Sequence, residues 1–174
     1  ILSFVFVWSY SLFPLIMVFA VAHAIAIYVS ERRFEARSIL ATGIGIIAGL
    51  VINPYFPKNL ALFVQHLLMK TPGTYSVDVG VEWYPYDTWV ILGSSALAFI
   101  IFFAGLVAFD YRSRVCDAKP LFFLLVSTMF LVMAFKSRRF IEYWPPFAVA
   151  FAAFTISPQL ETMRFKWMAL AQDR

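Results

Sequence analysis

Residues 1–29, ILSFVFVWSYSLFPLIMVFAVAHAIAIYV, hold no Asp, Glu, Lys or Arg and a single histidine, His23, and this run decides the fold. A bilayer core needs about 20 apolar residues per helix, and residues 1–29 supply them. Pro14 is expected to kink this span rather than end it, as lipid-embedded helices tolerate. The whole composition agrees. The chain is 62% hydrophobic and 14% charged, against roughly half and a quarter in soluble proteins, with a mean hydropathy of +0.80. So little polar surface cannot cover a chain in water.

Four further spans are read downstream, at 39–52, 88–109, 121–135 and 140–156. The expected fold is all-α: a polytopic transmembrane helical bundle, one domain over residues 1–174, with about five spans. Gly43, Gly45 and Gly49 suit close helix packing in the second span. Between spans two and three, Asn53-Pro54-Tyr55-Phe56-Pro57 ends a helix. Leu60, Phe63, Val64, Leu67 and Leu68 then recur at i, i+3, i+4, i+7 and i+8 between Lys58 and Lys70. That is one face of an amphipathic helix lying in the membrane interface. Thr71-Pro72-Gly73-Thr74 breaks it, and a polar aromatic loop runs to Asp87, which is placed to cap span three. Residues 157–174 read as an amphipathic basic tail. The chain opens on Ile1 without the basic start of a signal peptide, so it is read as an internal or C-terminal piece of a longer protein.

Cytoplasmic loops of membrane proteins carry the excess of Lys and Arg. Placing residues 30–38, 110–119 and the tail inside accounts for Arg32, Arg33, Arg37, Arg112, Arg114, Lys119, Arg164, Lys166 and Arg174, nine of the fourteen cations. The N-terminus and residues 53–87 are then outside. Lys136-Ser137-Arg138-Arg139 disobeys the rule, because this topology places the turn between spans four and five outside too. Cations near the membrane on that side usually have a partner. Either spans four and five form a re-entrant or broken helix, or Lys136, Arg138 and Arg139 form an anion site. Arginine suits phosphate because its planar fork binds two oxygens at once. Glu142, four residues after Arg138 and three after Arg139, shares their face if the segment is helical. Tyr143 follows it, and Pro145-Pro146 is expected to keep the backbone irregular.

Three stretches together, Asn53-Pro54-Tyr55-Phe56-Pro57, Val81-Glu82-Trp83-Tyr84-Pro85 and Arg138-Arg139-Phe140-Ile141-Glu142-Tyr143-Trp144-Pro145-Pro146, resemble the later transmembrane part of bacterial C-type glycosyltransferase-like membrane proteins. That superfamily includes oligosaccharyltransferase catalytic subunits, protein O-mannosyltransferases and the lipid A aminoarabinose transferase. The resemblance implies transfer of a sugar from a polyprenyl-phosphate carrier at the outer face of a bacterial inner membrane. It implies that Lys136, Arg138 and Arg139 hold the carrier phosphate, supported by Glu142 and Tyr143. It implies an acceptor-binding or metal-assisting role for Glu82; read from their residue types and positions, Trp83, Tyr84 and His66 are candidates to contact the acceptor or the sugar. The acidic first external loop of such enzymes has no counterpart in this chain, so the catalytic base is unassigned. A divalent metal, Mg or Mn, would be held mainly by residues outside it.

Simpler readings stand beside these. His66 with Gln65 fits a solvated polar face, and His23 fits a neutral imidazole bonded to a neighbouring helix. Trp83, Tyr84, Tyr86 and Trp89 fit a sugar platform or the aromatic belt of the membrane interface. Asp78, Glu82 and Asp87 are oxygen donors for a metal, but their spacing matches no known cage. No His-Glu-x-x-His occurs and Cys116 is the lone cysteine, which excludes a zinc motif of that kind and an intrachain disulfide. No basic stripe interleaved with stacking aromatics points to nucleic acid. The partners expected are the lipid bilayer, a polyprenyl-phosphate-linked sugar and other membrane subunits. The rival functions are a transporter or flippase-like subunit for lipid-linked sugars, and a structural subunit whose arginines pair with a partner chain.

Overall fold

The computed structural model describes residues 1–69, 80–110 and 117–172, the side chains of 66–69 and 162–172 excepted. Lys70, Thr71 to Thr74, Asp78, Arg112, Arg114, Cys116 and Arg174 lie outside the described residues, as do the side chains of His66, Leu67, Leu68, Arg164 and Lys166. The described residues form α1 (Leu2–Ser9), α2 (Pro14–Glu31), α3 (Ala36–Val51), α4 (Lys58–Met69), α5 (Thr88–Ser94), α6 (Ala96–Ala108), α7 (Ala118–Lys136) and α8 (Trp144–Gln172). Two 3₁₀ turns, Val81–Trp83 and Arg138–Glu142, complete them, and no strand occurs among these residues. The fold is all-α. α2 and α7 are long and apolar enough to cross a membrane, and α5 with α6 makes a third candidate if the bent pair is one span. The chain divides into two compact units, Ile1–Trp83 and Tyr84–Arg174.

In the first unit, residues 1–29 are not one kinked span. Pro14 is the first residue of α2, where its missing N–H is not needed and its fixed φ suits a helix start. α1 is a separate helix that lies along α3 in the same direction. Ser3 meets Gly45, and Phe4 and Val7 meet Gly49. A Cβ at Gly49 would stand 2.9 Å from Val7 Cβ and 3.0 Å from the Phe4 carbonyl oxygen. Gly45 and Gly49 are thus used to bring these two backbones together, while Gly43 faces Met17 of α2. Trp8 Nε1 donates to the Gly49 carbonyl at 2.9 Å across the same seam. α2 ends at Arg32, whose φ of 55° lets the chain turn, and then packs on α3. α4 falls where the amphipathic repeat predicts. Its Phe63 ring lies 4.7 Å from that of Phe13, whereas Leu60 and Val64 are exposed.

The second unit is a three-helix bundle of α6, α7 and α8. Phe123 stacks on Phe154 at 5.1 Å and Phe130 on Phe147 at 5.2 Å, so α7 and α8 run antiparallel as a hairpin. They are not one broken helix. α6 runs parallel to α8, since Phe99 meets Trp144 at 4.4 Å, Phe102 meets Phe151 at 5.6 Å, and Gln159 Nε2 donates to the Ala108 carbonyl. Phe130, Trp144 and Phe151 have no exposed surface and form the core.

Three sequence boundaries shift. The third span, 88–109, breaks at Ser95 with a bend of 79° between α5 and α6. α6 alone has 13 residues, a rise of roughly 20 Å, which is less than a bilayer core. The helix expected over 140–156 begins at Trp144 and runs on through the expected tail to Gln172, and among the described residues α8 is not one of the two or three candidate spans. Pro145 and Pro146 sit in the first turn of α8, where proline is tolerated. They start a regular helix instead of keeping the backbone irregular.

Candidate functional site

The Lys136–Tyr143 segment caps the α7–α8 hairpin. α7 is started by Asp117, whose carboxylate accepts from the Lys119 N–H at 3.1 Å. It ends when Ser137 becomes extended, with its N–H given to the Met133 carbonyl. Lys136 therefore occupies the last helical turn, where the carbonyl end of the helix favours a cation. Residues 138–142 then form a tight 3₁₀ turn. In such a turn side chains three apart eclipse. Arg139 and Glu142 thus share a face, while Arg138 points elsewhere. An α-helical spacing would have joined Arg138 to Glu142 as well, so the cation cluster divides where the sequence reading grouped it.

Arg138 fastens a loop. Its N–H donates to the Tyr84 carbonyl at 3.1 Å. Its Nε donates to the Pro85 carbonyl at 3.4 Å. Its guanidinium lies 4.8 Å from the centre of the Tyr86 ring. Tyr84 thus enters the site through its backbone oxygen, and Tyr86 uses a ring face for a cation. Asp87 next caps α5 by accepting from the Trp89 N–H at 2.9 Å, which holds the far end of the same loop. Pro85 and Tyr86 as partners of Arg138 escaped sequence reasoning, since they lie more than fifty positions away and no local pattern connects them.

Arg139 is half-buried, with its Nε shielded from solvent. Lys136 and Glu142 are exposed, and Ser137 and Phe140 are buried beneath them. Tyr143 stacks on Phe130 at 5.6 Å and 18°, so it supports the turn from the core. Beneath it Trp144 is fully buried between Phe99 and Phe102, and its Nε1 has no hydrogen-bond partner among the described residues. The arrangement presents cations over an aromatic floor. It can attract an anion, and the described residues contain no group of three or more His, Cys, Asp or Glu that could hold a metal.

No family model, curated protein or solved structure matches the chain. The remaining sequence candidates are placed as follows. Glu82 and Trp83 close the first compact unit in the 3₁₀ turn Val81–Trp83, Glu82 exposed and Trp83 half-buried. His66 lies on α4. His23 is on the exposed side of α2. Trp89 is 80% exposed, as a residue of an interfacial aromatic belt is expected to be.

Replacing Arg138 by Ala is expected to loosen the 84–86 loop without unfolding the bundle. A cation–π contact is worth about 0.5–1 kcal/mol at an exposed site. A long hydrogen bond from a charged donor adds about 1 kcal/mol. Amide exchange at Tyr86 and Asp87 should accelerate about 10-fold, and Arg138→Lys, which keeps the charge and loses the planar fork, should fall between. Unchanged exchange in Arg138→Ala would show that the loop is held by something else.

Proposed function

We propose that this chain is the later membrane portion of a C-type glycosyltransferase that uses a polyprenyl-phosphate sugar, with the carrier phosphate bound at the α7–α8 turn. The observation that carries the reading is the arrangement at that turn. Arg138 is engaged by loop 84–86, and Lys136 and Arg139 stand beside it at the end of a hairpin of apolar helices. A phosphate bound there meets an ammonium in the last turn of α7 and a guanidinium whose fork can hold two oxygens. Glu142, three residues on, orients that guanidinium. Tyr84 serves as a loop anchor in this scheme.

The membrane arrangement that goes with it has five crossings: α2, α3, the bent α5–α6 pair, α7 and α8. Loop 84–86 and the turn at 136–139 share one end of the second unit, which agrees with both being extracytoplasmic. The setting proposed is a bacterial inner membrane. The base, and a Mg or Mn ion if one serves, come from segments outside this chain. A transport route is less well supported. His23, which would mark it, stands on the exposed side of α2.

Head-group dependence tests the reading. In full-length protein reconstituted in phosphatidylcholine vesicles, a polyprenyl phosphate should bind at least about 10-fold tighter than the uncharged polyprenol, since charged hydrogen bonds contribute about 1.5–3 kcal/mol each. Equal binding of phosphate and alcohol would remove the phosphate site.

A further inference from the structure

The turn between α2 and α3 uses its charges unevenly. Arg33 takes both carboxylates: its Nη2 lies 3.3 Å from Glu31 Oε2 and its Nη1 3.7 Å from Glu35 Oε2. Glu35 precedes α3 without capping it. Arg32 and Arg37 are exposed, and neither forms an ion pair among the described residues. Arg37 stands in the first turn of α3, where the positive end of the helix dipole favours an anion. Two cations therefore share one end of the first unit without a counter-charge in the fold.

Arg37 also heads a column of apolar side chains. Leu40, Ile44, Ile47 and Val51 follow it at i+3, i+7, i+10 and i+14, the spacing of one helical face, and each is more than half exposed. The other sides of α3 are occupied, since Gly45 and Gly49 pack on α1 and Gly43 faces Met17 of α2. From Leu40 to Val51 the rise is roughly 16 Å, half the depth of a ~30 Å bilayer core. α2 is long and apolar enough to cross a membrane and ends at Glu31, so the turn stands at head-group level when α2 spans. Phe34 adds an exposed ring there.

Cations at the interface above an apolar column one leaflet deep match a phospholipid. A soluble anion would leave the column unused. In phosphatidylcholine the ammonium cancels the phosphate charge, whereas an anionic head group brings the missing counter-charge. The planar fork of arginine suits its phosphate. We propose that the α2–α3 turn holds an anionic phospholipid, its phosphate met by Arg37 and Arg32 and an acyl chain along Leu40, Ile44, Ile47 and Val51. The inference rests on the proposed membrane arrangement of α2 and α3 and is independent of sugar transfer.

The test uses full-length protein in phosphatidylcholine vesicles with a trace of phosphatidylglycerol or of phosphatidylcholine that carries a diazirine in its acyl chain. Phosphatidylglycerol should label peptides from residues 38–52 at least about 10-fold more than phosphatidylcholine, since each arginine near an anionic surface is worth about fivefold. An excess of inorganic phosphate should not displace it. Arg37→Gln combined with Arg32→Asn should bring the two lipids to equal labelling. Asparagine suits the left-handed backbone at position 32, and both side chains are exposed, so the fold withstands the change. Arg37→Lys should keep part of the preference. Equal labelling of the wild type, a preference that survives the double variant, or displacement by inorganic phosphate would overturn the head-group site while leaving α3 against lipid. Absence of label from 38–52 with both lipids would overturn the proposal together with the membrane placement of α3.

Discussion

Arg139→Ala is expected to lower sugar transfer by the full-length protein ~100-fold or more while leaving its membrane insertion and helix content unchanged. The size follows from the chemistry of a half-buried cation. Truncating one partner of a desolvated charge pair costs about 2–5 kcal/mol, and each 1.36 kcal/mol is about tenfold in rate. Arg139 heads the exposed face of the 3₁₀ turn with Glu142, so its loss leaves a carboxylate facing an incoming phosphate. Arg139→Lys should recover part of the rate, since the charge returns without the two-pronged geometry. Glu142→Gln should cost less than Arg139→Ala, because it removes an orienting group and not the ligand itself. A transfer rate for Arg139→Ala within threefold of wild type would place the phosphate elsewhere.

Gly105→Leu should destabilise the second unit by about 3 kcal/mol. A Cβ at Gly105 would lie 2.9 Å from the Phe151 ring and 3.0 Å from the Ala152 Cα. The ring has nowhere to go, because Phe151 is fully buried, and the Cα is backbone. α6 and α8 must separate. Overpacking of a filled core costs about 1–3 kcal/mol. In lipid no hydrophobic force draws the helices back together, so close packing is what holds them. Gly93→Ala is the matched control. Nothing lies within 4 Å of a Cβ there, and alanine favours a helix by up to about 1 kcal/mol. Thermal unfolding in detergent should therefore fall clearly for Gly105→Leu and hold or rise for Gly93→Ala. Equal midpoints for the two variants would show that α6 and α8 are not packed this closely.

Legibility in the sequence followed the range of each cause. The helical class was readable because hydropathy is local and the bilayer fixes its length scale. α7, expected over 121–135 from its apolar run, was found to within three residues of its start and one of its end, and α4 was found from its apolar repeat. The break at Ser95 was not readable. Residues 88–109 stay apolar through Gly93-Ser94-Ser95, and nothing in composition separates a straight span from one bent by 79°. Prolines misled twice for one reason. Pro14 and Pro145-Pro146 were read as kinks or breaks, yet all three stand in the first turn of a helix, where a missing N–H is harmless. At the site, the cations were visible as a violation of the charge rule. The division of labour between Arg138 and Arg139 was not, because it depends on a 3₁₀ register and on Tyr84, Pro85 and Tyr86, far away in the chain.

The proposed phosphate site depends on the sidedness of the α7–α8 turn. α7 has 19 residues, a rise of roughly 28 Å that is long enough for a bilayer core, and in the proposed topology Lys119 and Lys136 mark its opposite faces. In a full-length Cys116→Ser background, Lys136→Cys should react with a membrane-impermeant maleimide on intact cells, and Lys119→Cys only after the membrane is opened. Both positions are exposed in the fold, so access is decided by the membrane alone. Labelling of the Lys136 position only after permeabilisation would put the cations in the cytoplasm and contradict the phosphate site.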